Sequence, residues 1–170
     1  MMKEMAFDAV QFRKVLSRFA TGVAVVTTSA EGQVHGMTCN AFCSISISPM
    51  SVLVSLAKHS RTERMINDGG VFAVNVLSES QKEISERFAG KHKDKEAHRF
   101  QDIAWTRAVT GAPILLGTQA YLDCRVSTNF DGGTHTLFVG TVVAVHADES
   151  QHPLIFFQSK YMGVNGLKLL

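Results

Sequence analysis

The sequence predicts a mainly β chain whose antiparallel strands form a closed or partly split barrel, with short helices at the connections. Three features predict it. Gln119 to Ser127 alternates Ala120, Leu122, Cys124 and Val126 against Tyr121, Asp123, Arg125 and Ser127, the period of a strand with one buried face. Asp131-Gly132-Gly133 then turns the chain into Thr134 to Ala147, long enough to bend around a barrel at Gly140. Gly36 to Ser48 sorts by parity as one strand, with Thr38, Asn40, Ser44, Ser46 and Ser48 on one face. Met37, Cys39, Ala41, Cys43, Ile45 and Ile47 take the other face, and only Phe42 breaks the pattern.

The remaining elements follow in order. Asp8 is placed to cap a first helix, with Gln11 at the capping-box position and Phe7 able to staple onto Phe12. Val15, Leu16 and Phe19 continue its apolar face, and Gly22 lies beyond its end. Val23 to Thr28 reads as a strand, turned at Glu31-Gly32 into Val34 and the polar strand, which makes a hairpin. Val52 to Ala57 has the continuous apolar character of a strand buried on both faces. Arg61 to Asp68 predicts a short helix stopped by Gly69-Gly70, and Val71 to Leu77 a strand. Ser78 with Gln81 makes a second capping box for a helix through Ile84 and Phe88 that ends at Gly90. Lys91 to His98 is a charged surface loop, and Leu154 to Phe157 a final apolar strand.

Composition bounds the class. At 170 residues the chain suits one sizeable core, and a single domain over 1–170 is expected. Hydrophobic residues at 45% against charged residues at 19% fit a soluble domain with apolar surface to spare, as in an obligate homodimer. A net charge of +2, with no basic run interleaved with aromatics, argues against nucleic acid. Met1 to Ala6 lacks the apolar stretch of a signal peptide and no run is long enough to span a bilayer, so a cytoplasmic protein without membrane contact is expected. Cys39, Cys43 and Cys124 form no CxxC pair, and the seven His residues are scattered, so no metal is expected. Cys39 and Cys43 read as small buried residues.

The polar parity of Gly36 to Ser48 is hydroxyl and amide without a charge. Such a face suits a neutral, flat ligand rich in carbonyl and ring-nitrogen groups, because Ser, Thr and Asn both donate and accept. The plainer alternative is a half-exposed strand that happens to be rich in Ser and Thr. Downstream, Lys58-His-Ser-Arg-Thr62 joins a strand to a helix with two cations and two hydroxyls, a combination able to hold a phosphate. Its alternative is an ordinary N-cap with solvated cations.

Ala20 to Thr28, His35 to Ser44, Arg87-Phe-Ala-Gly90, Gly133 to Gly140, and Pro153 to Phe157 with Tyr161 together resemble the short flavin reductases. That family supplies reduced flavin to two-component aromatic monooxygenases. The resemblance runs from about Phe12 to Tyr161, and it implies a split β-barrel that binds FMN or FAD, takes hydride from NADH or NADPH, and forms a homodimer. A separate flavin-dependent oxygenase would be its partner. Alternatives are a split-barrel oxidase of the pyridoxamine phosphate oxidase type, a flavin-storing or flavin-sensing protein, and a binding barrel without flavin.

Hydride transfer between stacked rings needs positioning rather than a nucleophile. The resemblance implies that Thr38, Asn40 and Ala41, with Cys39 among them, lie along the isoalloxazine, and that Ser44, Ile45 and Ser46 follow the ribityl chain. It sets Ala57, Lys58, Ser60 and Thr62 at the phosphate, and Phe88, Ala89 and Gly90 near the rest of the flavin. Phe88 has a structural alternative as core, four residues after Ile84. His135 and Tyr161 fall on the nicotinamide side, although His135 could be a plain turn histidine. Thr134 stands where several relatives have Asp, which leaves the nicotinamide preference open.

Overall fold

The computed structural model describes residues 7–92 and 98–164; the reading of Met1 to Ala6, and most of that of the charged segment Lys91 to His98, lie outside the described residues. The elements run α1 (Ala9–Leu16), β1 (Thr21–Gly22), β2 (Ala24–Ala30), β3 (Gln33–Cys39), β4 (Phe42–Ile47), β5 (Met50–Ala57), α2 (Arg61–Gly69) and β6 (Val71–Val76). They continue with a 3-10 turn (Glu79–Gln81), α3 (Lys82–Phe88), β7 (Trp105–Arg107), β8 (Pro113–Leu115), β9 (Ala120–Asp131), β10 (His135–Ala147), β11 (Ile155–Phe157) and β12 (Lys160–Met162). Seven strands form one antiparallel sheet in the order β3-β2-β6-β9-β10-β5-β4, a three-stranded sheet is ordered β1-β11-β12, and β7 pairs with β8. The strands β1, β7, β8 and β12 were not expected from the sequence, and Leu154 to Phe157 is therefore not the last strand.

The strand predicted from Gly36 to Ser48 is two strands. β3 ends at Cys39 and β4 begins at Phe42, and the two occupy opposite edges of the large sheet. The sheet curls until the link between them spans the gap: Ser55 N–H donates to the Ala41 carbonyl at 3.0 Å, and the Cys39 thiol lies 3.6 Å from the Ser55 carbonyl. Parity does not carry across this break or across the register shift between Ser44 and Ser46. Cys39 is buried as expected, whereas Cys43, Ile45 and Ile47 are exposed, Ile47 at 88%. β4 is an edge strand with both faces open in the single protomer.

Inside the curl, one face from each of several strands makes the main core: Ala24 and Val26, Cys39, Val52, Val54 and Leu56, Phe72 and Val74, Cys124 and Phe138, sealed by Ile66 of α2. β2 is buried on its other face too, where Val25, with Val23 just before the strand, meets Leu77, Phe88, Leu115 and Leu154 under α3. A third cluster explains an unexpected burial. β9 was expected to turn Asp123 to solvent, but β7 and β8 cover that face, with Ile114 packed on Ala73 and Tyr121 alongside. Asp123 is fully buried and accepts from the amides of Val109 and Thr110, both at 2.8 Å, and from the Thr110 hydroxyl. Those donors satisfy a carboxylate that would otherwise be costly to bury. In the same way Thr27 and Asn75, both fully buried, bond each other at 3.0 Å and hold the backbone of Pro113 and Leu115.

The first helix starts as read, with the reciprocal Asp8–Gln11 capping box and Phe7 6.4 Å from Phe12, but it ends at Leu16 with Ser17 as its C-cap, so Phe19 lies beyond it and Gly22 belongs to β1. Among the described residues nothing covers its apolar face, and no residue of α1 is buried. The Glu31-Gly32 turn has positive φ at both residues, 50° and 75°, which suits the twist of the β2–β3 hairpin. Gly70 caps α2 in the left-handed conformation.

Gly140 lies next to a register shift in β10, and a side chain there has no room: a Cβ would lie 2.5 Å from Phe72 Cζ and 2.9 Å from Cys124 Cβ. Gly140→Ala is therefore expected to destabilise the protein by about 1–3 kcal/mol through overpacking. Urea unfolding checks it, and adding Phe72→Leu should recover part of the loss.

Candidate functional site

The residues proposed for the flavin fall into two groups. The first surrounds a cavity of about 380 Å³ lined by Val23, Thr38, Asn40, Ala89, Lys91, Phe156, Ser159 and Tyr161. Thr38 lies near the end of β3 with its side chain toward α3, and its hydroxyl donates to the Ser85 carbonyl at 2.6 Å. The Ser85 hydroxyl pairs with the Tyr161 hydroxyl at 2.9 Å, and the Tyr161 ring packs on Phe156 at 5.3 Å between centroids. One α3 residue thus fixes β3 and β12 on either side of the cavity. Asn40 also lines a neighbouring cavity of about 390 Å³ with Phe19, Cys39 and Phe42, so it stands between two openings.

Ala89 and Gly90 end α3. Gly90 takes a φ of 76°, its amide donates to the Arg87 carbonyl, and the Lys91 amide donates to the Glu86 carbonyl, which is a Schellman motif. The motif needs the left-handed residue that Gly supplies, and it turns Lys91 back toward Tyr161. Phe88 does not line this cavity. It is 1% exposed and packs edge-on against Phe100 at 5.1 Å, so the core reading of its side chain holds.

The second group lies where β5 leads into α2. Ser60 caps the helix, accepting from the Glu63 amide at 3.2 Å, and its hydroxyl lies 3.7 Å from Met37 Sδ. Ala57 pairs with His135 across the sheet, and the Lys58 amide donates to the Thr134 carbonyl. The Lys58 ammonium is bound to Asp131 at 2.7 Å, a contact that holds the Asp131 carboxyl below its usual range, together with the Gly133 amide. His135 is exposed, with Nδ1 2.9 Å from the Thr134 hydroxyl. His135 and Tyr161, both expected on the nicotinamide side, are thus in different groups within the protomer. Ala41, Ser44 and Ile45 lie on the open edge of the sheet, with Ser46 half-buried beside them.

Thr62 departs from its expected place at an exposed junction. It is 1% exposed, and its hydroxyl lies 2.9 Å from Nδ1 of the buried His35. Its side chain belongs to the packing of α2 on β3. The sequence reading also missed Lys91, Phe156 and Ser159 as cavity residues, and Ser85 behind them. Lys91 directly follows the Arg87-to-Gly90 motif, but its direction depends on the Schellman turn. Val23 and Phe156 are indistinguishable from core residues in a sequence.

The chain matches the family model described as the flavin reductase like domain over residues 16–165, and it belongs to that family. It is 37% identical to the reductase subunit HsaB of a flavin-dependent monooxygenase from Rhodococcus jostii, over 94% of this chain and 80% of the relative. The styrene monooxygenase flavin reductase of Pseudomonas putida S12 superposes with a TM-score of 0.80 at 39% identity, covering 93% of this chain and 99% of that one. The NADH:FAD oxidoreductase SgcE6 of Streptomyces globisporus, solved with NAD and FAD fragments, superposes with a TM-score of 0.84 at 31% identity, covering 94% and 96%. The split-barrel class expected from the sequence is the class of these neighbours.

Burial, followed by the positive charges of Arg99 and Arg61, holds the His35 imidazole down to about 4 from its ordinary 6.5. Between those values the unfolded chain binds a proton that the folded chain does not, so stability is complete above about pH 6.5 and falls as pH drops toward 4. His35→Asn is expected to flatten this limb relative to the wild type. Urea midpoints of the two proteins from pH 7 down to about 4 measure it; parallel limbs would contradict it.

Proposed function

We propose that the chain is an NADH-dependent flavin reductase that reduces FMN or FAD by hydride transfer and supplies the reduced flavin to a separate monooxygenase. The observation that carries this is the cavity at Thr38, Asn40 and Tyr161 in a flavin-reductase fold. Among the described residues its lining combines neutral hydroxyl and amide groups with aromatic rings and has no carboxylate. That donor set fits an isoalloxazine, which offers ring nitrogens and carbonyls at its edge and an apolar face. When bound, flavin and nicotinamide supply the hydride chemistry themselves.

The chain's own part is placement. Thr38 and Asn40 present polar atoms at the cavity wall, and Tyr161 is held upright by Ser85. Ala89 offers a wall without bulk beside the Gly90 turn. At the other end, Ser60 and the first amides of α2, with Lys58 close by, form the group best suited to a phosphate. Lys58 would exchange its bond to Asp131 for one to the phosphate. Ser44 and Ser46 lie on the open edge of β4, on the chain between the two groups. A cytoplasmic location, where reduced nicotinamide is available, and a single domain over the whole chain complete the reading. No helix among the described residues is long and apolar enough to cross a membrane.

A second copy of the chain is part of the proposal. Val10, Val15, Leu16 and Phe19 on or beside α1 are exposed, as are Ile45, Ile47 and Met50 at the β4–β5 edge. A homodimer that covers them would bury on the order of 2,000 Å² or more. Sedimentation at low micromolar concentration is expected to give twice the chain mass, and an active monomer would contradict the dimer.

The function is tested by mixing the purified protein anaerobically with NADH and excess FMN or FAD. Flavin absorbance should bleach over many turnovers, whereas a storage protein would stop after one equivalent. In the same assay His135→Ala is expected to lose roughly ten- to a hundred-fold in kcat/KM for NADH while flavin affinity holds. Unchanged kinetics would make His135 a turn residue.

A further inference from the structure

Among the described residues that line the cavity at Thr38 and Asn40, Lys91 carries the one formal charge. Its place is fixed by the chain rather than by side-chain freedom alone. The Schellman turn at Gly90 sets its backbone, and its ammonium then lies 5.3 Å from the Tyr161 ring centroid and 3.2 Å from a Glu86 carboxylate oxygen. Tyr161 and Thr38 are tied to the same residue, Ser85, so the cation, the ring and the polar wall form one connected group. An ammonium over an aromatic face is held favourably even at an exposed site.

We propose that the Lys91 ammonium selects the reduced, anionic form of the flavin over the oxidised, neutral form. The inference rests on the flavin occupying this cavity. Hydride delivery breaks the C–H bond of the dihydronicotinamide and forms an N–H bond at flavin N5, and the electron pair travels with the hydrogen. The nicotinamide leaves as a cation, and the neutral flavin becomes a monoanion whose charge is shared between N1 and the adjacent carbonyl. The ligand in this cavity therefore gains one negative charge during turnover. A fixed cation at the wall interacts with the product and scarcely with the flavin substrate, which raises the flavin's reduction potential. Glu86 opposes the effect, because its carboxylate offsets part of the Lys91 charge.

The test measures the dissociation constants of oxidised FMN and of chemically reduced FMN, anaerobically, on the full chain. Lys91→Met is expected to lower the preference for reduced over oxidised flavin roughly five-fold, the size of one exposed charge interaction. That equals a fall of about 20 mV in the potential of bound flavin, at about 30 mV per ten-fold for two electrons. Lys91→Arg should keep the preference and Glu86→Gln should increase it, a sign that a purely structural role would not produce. Added salt should shrink the difference between wild type and Lys91→Met. The same ratio in wild type and Lys91→Met, or a fall with Glu86→Gln, overturns the proposal. Ala89→Trp, which fills the cavity, separates this from the underlying reading. If it leaves FMN affinity untouched, the flavin sits elsewhere and the reading of the cavity fails; if it abolishes binding while Lys91→Met leaves the ratio unchanged, only the role of Lys91 fails.

Discussion

The passage from Cys39 to Phe42 is the constraint on which the rest depends. It joins the two edges of the seven-stranded sheet, β3 and β4, and it can do so only because the sheet is curled enough to bring those edges within a few residues of each other. The Ala41 carbonyl accepting from Ser55 pins the crossing to β5. Thr38, Cys39, Asn40 and Ala41 are therefore held where the sheet is split, and the cavities on either side of Asn40 open there. An edge strand would ordinarily be a liability, but here the edge carries the residues proposed to follow the flavin chain.

Curvature in turn depends on how the strands pack. β2, β6 and the first part of β9, up to Cys124, are covered on both faces, by the barrel interior on one side and by α3 or the β7–β8 pair on the other. Gly140 lets Phe72 fill the interior at the register shift of β10, so bend and close packing are met at one residue. Burial on both faces requires polar groups inside to be fully bonded. The Thr27–Asn75 and Asp123–Thr110 groups meet that requirement while fastening the outer hairpin to the sheet.

Charge is used sparingly and at the rim of the site. The described ion pairs, Lys58–Asp131 and Lys91–Glu86, stand at its two ends. One lies beside the helix terminus suited to phosphate, and the other places its ammonium in the wall of the cavity suited to a ring. Each cation is held by a carboxylate that an anionic ligand can relieve, so both keep their positions without a ligand. The thiols take no part in this. Burial raises the Cys39 thiol, and burial with the Asp123 charge pushes the Cys124 thiol up to about 12, so both pack as small apolar groups.

The sequence by itself determined the local elements, because caps, turns and strand periods are short-range signals. Asp8 with Gln11, Glu31-Gly32, Gly69-Gly70 and Ser78 with Gln81 all act within a few residues; the first three mark the boundaries they were read to mark, while the Ser78–Gln81 box caps the 3-10 turn that leads into α3. Thr38, Asn40, Ala89 and Tyr161 were read as candidate site residues through motifs in family order, and the structure gathers them around one cavity. What only the tertiary structure decided were properties of pairs distant in sequence. Parity treats Gly36 to Ser48 as one strand because nothing local announces that β3 and β4 are opposite edges. Asp123 alternates like a solvent-facing residue until β7 and β8 cover it. Thr62 follows a cap as an exposed residue would, but His35, 27 positions earlier, claims its hydroxyl. The cover of α1, if it is a second copy, is more distant still, because burial belongs to the assembled surface and a single strand of sequence carries no record of which surfaces meet.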